Sequence, residues 1–311
     1  MNKFKGFLFG MTASSTFGLL PLFTLPIMSE GLTTNSILCY RMLFASALVA
    51  VLMQVRKIAF RTNLRELLWF AFLGFFYYGS ASLLFQAYGT MSSGMATTLH
   101  FLYPVGVTLI MALVFKQRPS PFTILAIILG LSGVALLSLK EGGGSSSASL
   151  VGILLVLLSG LSYAAYLVTM NNVRRVRESN NLKLTLYVLI FSALFFLLDT
   201  SLSGGLQMIP SGRALTNLLL LAFLPTLVSN LALVRAVKSI GSTLTSVLGA
   251  MEPLTAIVIG VVVFGEEVTG PMALGILLIL LSVTIIVLSP LLDKNIADRL
   301  RRLSKRPIRR Q

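Results

Sequence analysis

Apolar runs of about twenty residues recur along this chain, and no other feature limits its fold so strongly. They fall at about 6–28, 36–55, 66–88, 93–115, 121–139, 150–170, 183–199, 213–234, 241–264 and 270–290. A helix crossing roughly 30 Å of bilayer hydrocarbon needs about 20 predominantly apolar residues, and every run is near that length, the seventh being short. Inside lipid each backbone polar group must be satisfied within its own segment, which a helix does. Only 11% of the 311 residues are charged and 56% are apolar, a composition outside the soluble range. The expected fold is an all-α integral membrane protein with ten transmembrane helices.

The formal charge of +15 does not point to nucleic acid, because nearly all the cations sit in short segments between apolar runs. Ten spans put both termini on one side. That side receives Lys3, Lys5, Arg56, Lys57, Arg61, Arg65, Lys116, Arg118, Arg174, Arg175, Arg177, Lys183, Arg235, Lys238 and the cluster from Lys294 to Arg310. The other side receives Lys140 and Arg213, while Arg41 lies inside a span. Cytoplasmic loops carry the excess of Lys and Arg, so both termini are expected in the cytoplasm. The first run follows Lys3 and Lys5 as a signal peptide would, but it lacks a small-x-small cleavage site and reads as a retained helix. The basic tail, 293–311, is expected to lie at the cytoplasmic leaflet, drawn to anionic lipid.

Residues 141–149, Glu-Gly-Gly-Gly-Ser-Ser-Ser-Ala-Ser, have the composition of a flexible linker. They divide the chain into halves at 1–140 and 150–292, five helices each. The halves echo one another. Tyr103-Pro104 followed after ten residues by Phe115 matches Glu252-Pro253 and Phe264 at an offset of 149, and Gln86-Ala87 matches Arg235-Ala236 at the same offset. Gly6 to Phe17 also matches Gly152 to Tyr163 in spacing. Because five is odd, the second half must enter the membrane from the opposite side. That is an inverted repeat, an organisation in which a substrate site lies at the midplane and is exposed alternately to either side.

The chemistry-bearing side chains inside the runs are few. Met251-Glu252-Pro253 lies near the middle of the ninth run, where a carboxylate costs several kcal/mol unless it faces a polar interior. Pro253 would remove a backbone hydrogen bond from that span. Ser242, Thr245, Gly249, Glu252 and Ala256 follow steps of three and four and share one face, as do Thr97, His100, Pro104 and Thr108 on the fourth run. Small residues in such stripes also serve close packing. Glu252 resists that reading, because an apolar residue would pack there at lower cost. Glu252 and His100 are therefore the leading candidates for substrate or proton contact, with an interhelical hydrogen bond as the competing role for each. His100 in its ordinary state titrates near neutrality. Arg41 lies about five residues into its span, close enough to the outer interface to snorkel, or else it meets substrate. Tyr78, Ser82 and Gln86 form a polar stripe on the third run, and Ser159, Tyr163, Tyr166 and Met170 another on the sixth. Asn230 and Ser229 follow Pro225 on the eighth. With Tyr103, the aromatic members are able to stack on a substrate, although such rings also act as packing or interface anchors.

The single cysteine, Cys39, and the single histidine leave no cluster for a metal site, so no metal is expected. There is no Walker loop, HExxH or nucleophile triad, so neither a cofactor nor an enzymatic activity is expected. Glu266-Glu267 falls in the short outer turn before Gly270-Pro271.

Two five-helix halves, the Gly-rich opening of each, Tyr103-Pro104 through Phe115-Lys116-Gln117-Arg118, and above all Met251-Glu252-Pro253 with Phe264-Gly265-Glu266-Glu267 resemble the drug/metabolite transporter superfamily, in its ten-helix EamA branch. The resemblance covers residues 1 to about 290. It implies a bacterial inner-membrane secondary carrier whose central cavity is lined largely by helices from runs three, four, eight and nine, moving amino acids or other small metabolites, often outward. The first half departs by carrying tyrosine rather than a carboxylate before its proline. The reading is a secondary transporter with a small-molecule substrate, coupled to protons or uncoupled, in contact with membrane lipids and not with nucleic acid. Pro104, Pro253 and Pro225 shape the helices around its site. A multidrug or cation efflux carrier is the nearest alternative, followed by a membrane-embedded transferase or a channel.

Overall fold

The computed structural model describes residues 3–87, 90, 96, 99–138, 150–264 and 270–304, which are helices and their connections with no strand among them. The linker at 141–149, Lys140, Thr97 and the Gly265-Glu266-Glu267 turn lie outside these described residues. Among the described residues, six helical segments are long and apolar enough to cross a membrane: Lys3–Ser29, Thr34–Val55, Leu64–Ala87, Leu150–Asn172, Asn181–Leu202 and Gly212–Ile240. Shorter apolar helices cover Tyr103–Leu113, Pro121–Leu136 and Ala273–Ile286.

In chain order the elements are α1 (Lys3–Phe17), α2 (Leu20–Ser29), α3 (Thr34–Val55), α4 (Leu64–Ala87), α5 (Tyr103–Leu113), α6 (Pro121–Ser138), α7 (Leu150–Asn172), α8 (Arg174–Glu178), α9 (Asn181–Leu202), α10 (Gly212–Leu221), α11 (Ser229–Ile240), α12 (Ser242–Leu248), α13 (Met251–Phe264) and α14 (Gly270–Ser304). At about 1.5 Å per residue, α14 is roughly 50 Å long and outlasts the hydrocarbon, so the start of the basic tail continues the last helix. The run expected at 183–199 becomes the 22-residue α9, a full crossing length.

These helices are apolar outside and small or polar inside. On α7, Leu150, Leu154, Leu157, Leu158 and Leu161 are exposed, whereas Gly152, Ser159, Gly160, Ala164, Tyr166 and Met170 are buried. Lipid is as apolar as leucine, so exposed leucine loses nothing there, and close packing with hydrogen bonds must hold the helices together. Ser159 donates to the Ser80 carbonyl at 2.5 Å, Ser162 to the Phe76 carbonyl at 3.0 Å and Ser192 to the Gly74 carbonyl at 3.0 Å, stitching α4 to α7 and α9. Small residues give the needed approach. A Cβ on Gly133 would lie 2.8 Å from the Gly275 carbonyl, so α6 and α14 meet backbone to backbone.

Four runs expected as continuous α-helices are not. The first is interrupted at Gly18-Leu19, with Pro21 in the opening turn of α2. The ninth is interrupted at Gly249-Ala250, so Pro253 falls in the first turn of α13, where an N–H would have no intrahelical partner in any case. The backbone cost expected for that proline is therefore absent. The fourth run is interrupted at Phe101-Leu102, so Pro104 likewise falls in the first turn of α5. The eighth run widens into a π-helical stretch, Ala222–Val228, around Pro225. Proline denies the Leu221 carbonyl its usual donor and would clash with it; the wider turn removes the clash, and Thr226 Oγ1 donates to that carbonyl at 2.8 Å instead.

The bundle ends differ. At the end holding Glu30 and residues 199–211, Thr33 N donates to Gln207 Oε1 (2.6 Å), Tyr40 Oη to the Gln207 carbonyl (2.7 Å), Gln207 N to Ser36 Oγ (3.2 Å), and Ser211 to Glu30. Phe23, Ile27, Leu32, Ile37, Leu218 and Leu221 form an apolar plug against this seal. At the end holding Lys3, a vestibule of about 430 Å³ opens between Lys3, Thr108, Gln117, Arg118, Asn171, Ser242 and Thr243.

Candidate functional site

Deeper along α12 lies a second, smaller space. It is lined by Ala13, Ser14 and Phe17 of α1, Tyr103 of α5, Tyr163 and Leu167 of α7, Ser229 and Leu233 of α11, Thr245 of α12 and Glu252 of α13. Its volume of about 20 Å³ holds about one water molecule. Ser242, in the vestibule wall, and Thr245, in the cavity wall, are one turn apart on the same helix, so α12 connects the two spaces.

The breaks at Gly18-Leu19 and Gly249-Ala250 converge on this cavity. A Cβ on Gly18 would strike the Glu252 carbonyl and come within 2.8 Å of Thr255 Cβ, so the α1–α2 break sits directly against the start of α13. Glu252 occupies the first turn of that helix, where the macrodipole favours negative charge. Among the described residues no donor reaches its carboxylate. A Cβ on Gly249 would coincide with the Tyr103 hydroxyl, so the chain break before Glu252 is also the notch that receives the tyrosine standing before Pro104.

Arg41 does not snorkel. It is 3% exposed, its Nη2 donates to Tyr77 Oη at 3.2 Å, and its guanidinium lies 5.4 Å from the centre of the Phe17 ring. Asn230 Nδ2 donates to the same tyrosine oxygen at 3.3 Å and to the Thr226 carbonyl at 2.8 Å, so the π-helical stretch and the guanidinium share one anchor. Among the described residues Arg41 Nε has no partner. Its charge acts on Glu252, yet among the described residues the two form no ion pair within 4.0 Å.

A wall of tyrosines joins these charges. Tyr77 lies 5.4 Å from Tyr166, Tyr166 stacks at 5.9 Å on Tyr163, and Tyr163 meets Tyr103 edge-on at 4.8 Å. His100 stands behind the wall, 5.7 Å from Tyr103 and 6.1 Å from Tyr163, and does not line the cavity. Its Nδ1 is 3.0 Å from Ser159 Oγ. Since that hydroxyl gives its hydrogen to Ser80, Nδ1 must be the donor, and His100 holds the interhelical hydrogen bond that was its competing role.

The remaining candidates fall away from the cavity. Tyr78 packs on Phe195 and Phe196 of α9, and Gln86 donates to Ser82 on its own helix at 3.1 Å. Tyr77, one position earlier, is the residue that sequence reasoning missed, along with Phe17. Periodicity alone does not separate Tyr77 from Tyr78; the signal was Gly74, which turns one face of α4 onto α9 and leaves position 77 facing inward. The cavity wall also differs from the one that the resemblance implied, with α1 and α7 contributing directly and α4 acting through Tyr77.

The model of the EamA-like transporter family matches residues 4–139 and 150–288. The uncharacterized transporter sll1319 of Synechocystis is 26% identical over 239 residues, which cover 74% of this chain and 71% of that protein. The uncharacterized transporter YcxC of Bacillus subtilis is 31% identical over 167 residues, 51% of this chain and 49% of its own. A solved crystal structure superposes with a TM-score of 0.79 over 94% of this chain and 98% of that one, at 20% identity, a likeness of fold.

Proposed function

The chain belongs to the EamA-like transporter family, and from that premise we propose a secondary carrier that exports small metabolites, amino acids foremost, by alternating access. Ten spans in two inverted five-helix halves, 1–140 and 150–292 joined by the 141–149 linker, would rock about the cavity at Glu252. Both termini and the 293–311 tail would face the cytoplasm from a bacterial inner membrane, with the tail at its lipid surface. The vestibule beside Lys3 then takes cargo from the cytoplasm, and the Gln207 seal closes the far side.

One observation carries this reading: Glu252 presents to a cavity where two helix breaks meet a carboxylate that has no partner among the described residues. A buried carboxylate left without donors is costly, and a carrier recovers that cost when a cargo ammonium group or a proton arrives. The other ionisable side chains turned toward Glu252 are Arg41 from α3, Tyr103 from α5 and Tyr163 from α7. Coupling would follow if Glu252 carries a proton on one stroke and cargo on the other.

The test is counterflow and pH-gradient-driven flux in proteoliposomes. Glu252→Gln keeps the shape and removes the charge; it is expected to abolish gradient-driven flux and flatten its pH dependence. Full flux with an unchanged pH profile would overturn the assignment. Export of organic cations draws on the same carboxylate and tyrosines, but the buried guanidinium beside the cavity opposes it.

A further inference from the structure

We propose that Arg41 receives the carboxylate of the cargo while Glu252 receives its ammonium group, so that the carrier selects zwitterions over their singly charged relatives. This rests on the alternating-access reading above and narrows its substrate class.

A buried guanidinium with its Nε unpartnered is anomalous in an apolar bundle, because desolvated arginine is normally matched by a carboxylate. Arg41 has instead a neutral hydroxyl at 3.2 Å and an aromatic face at 5.4 Å. Both hold the side chain in place without neutralising it. Glu252 is in the mirror situation, a carboxyl group in the cavity wall that no donor reaches among the described residues. Among the described residues the two form no ion pair with each other, and each has capacity left for a group lying between them.

Their supports keep them apart. Arg41 is tied through Tyr77 to Asn230 and the π-helical stretch, and Glu252 is set by the break at Gly249-Ala250. Phe17 is shared, lining the cavity on one side and lying under the guanidinium on the other. A molecule carrying both charges would complete both ends, and the tyrosine wall would contact its body. The entry side agrees: the described vestibule lining includes Lys3 and Arg118 and no carboxylate, which attracts the anionic end of a zwitterion first.

The planar fork of arginine is suited to a carboxylate in two-point contact. Removing either charged end of the cargo should weaken recognition by about 10- to 100-fold. The experiment is counterflow in proteoliposomes holding the full-length protein, with alanine, leucine and phenylalanine each compared with its amide, which lacks the anion, and its N-acetyl derivative, which lacks the cation. The wild type should exchange at least one parent amino acid and discriminate against both derivatives by about tenfold or more. Arg41→Gln should lose the preference for acid over amide and keep that for amine over N-acetyl amine; Glu252→Gln should do the reverse. Arg41→Lys, which keeps charge and loses the fork, should fall between.

A wild type that exchanges the amide as readily as the acid would overturn the proposal, as would an Arg41→Gln variant with its selectivity intact. The wild-type comparison decides the matter if Arg41→Gln fails to fold. Exchange of other solutes with none of the amino acids would overturn the zwitterion assignment and leave the carrier standing, whereas undiminished gradient-driven flux in Glu252→Gln would sink the carrier mechanism itself.

Discussion

Gly249 offers the most direct test of how the cavity is built. Its φ of −54° and ψ of −23° suit any residue, so Gly249→Ala brings no backbone strain, and the lower chain entropy of alanine would by itself stabilise by about 0.4–1 kcal/mol. Against this, the new methyl would occupy the place of the Tyr103 hydroxyl, with ring Cζ at 2.9 Å and the Ser246 carbonyl at 2.8 Å. Overlap of that degree exceeds what a shift of a few tenths of an ångström relieves, and overpacking of a tight core costs about 1–3 kcal/mol. The clash should win, leaving a net loss of about 1–2 kcal/mol. Because Tyr103 also lines the cavity at Glu252, its displaced ring would fill a space of about 20 Å³, and transport should fall by more than stability does. Tyr103→Phe removes the overlapping oxygen and leaves Cζ, so the double variant should recover part of both losses, with a coupling of about 0.5–3 kcal/mol. Apparent melting of the detergent-purified protein reads the first quantity and counterflow reads the second. A Gly249→Ala variant with wild-type melting and flux, or one whose losses simply add to those of Tyr103→Phe, would refute this account.

Tyr77→Phe deletes the oxygen that accepts from both Arg41 and Asn230. Leaving those buried donors unpaired should cost about 1–3 kcal/mol in apparent stability and blunt selection between acid and amide; unchanged melting would show that the anchor is idle. Pro225→Ala restores a donor for the Leu221 carbonyl and allows the π-helical stretch to relax to an α-helix. The register beyond it would rotate, carrying Asn230 off Tyr77, so exchange should fall even if melting rises by about 1 kcal/mol. Wild-type exchange in that variant would count against the π-helical stretch as a positioning device.

Much of the bundle was legible because lipid imposes one rule on every segment. Runs of the right length became helices, and the polar stripe of α7 turned inward as its spacing required. What stayed hidden was local. Pro253 reads in sequence as a fault inside one long helix, since nothing nearby announces that Gly249-Ala250 will break the chain and make the proline a helix start. Arg41 reads as a snorkelling residue because its depth is all that sequence gives. Its burial depends on Tyr77 and Phe17, which are distant in the chain and ordinary in type. His100 was read as a candidate for its chemistry, but the hydroxyl that claims it belongs to another helix. Glu252 stands out in sequence because a carboxylate at that depth is costly, and the structure places it in the cavity wall.

The helix pairings give the proposed inverted repeat physical support that the weak sequence echo lacks. α4 packs on α7 as α11 packs on α1, and α5 packs on α7 as α13 packs on α1. α3 with α9, and α6 with α14, are the pairs that a two-fold relation would map onto themselves. In the proposed repeat each half sends its opening helix across to cover the proline break of the other: a Cβ on Gly160 of α7 would lie 3.3 Å from the His100 carbonyl before α5, and one on Gly18 would strike the Glu252 carbonyl in α13. Under the proposed alternating access, such a frame would invert by exchanging equivalent contacts, so the second state would need no new fold, only loss of the Gln207 seal at one end and closure of the Lys3 vestibule at the other. Exchange would not be neutral at the cavity, where the proposed repeat matches Tyr103 in one half to Glu252 in the other. A charge confined to one half is felt unequally by the two states, and that inequality is what a bound ammonium group or proton would act upon to favour one of them.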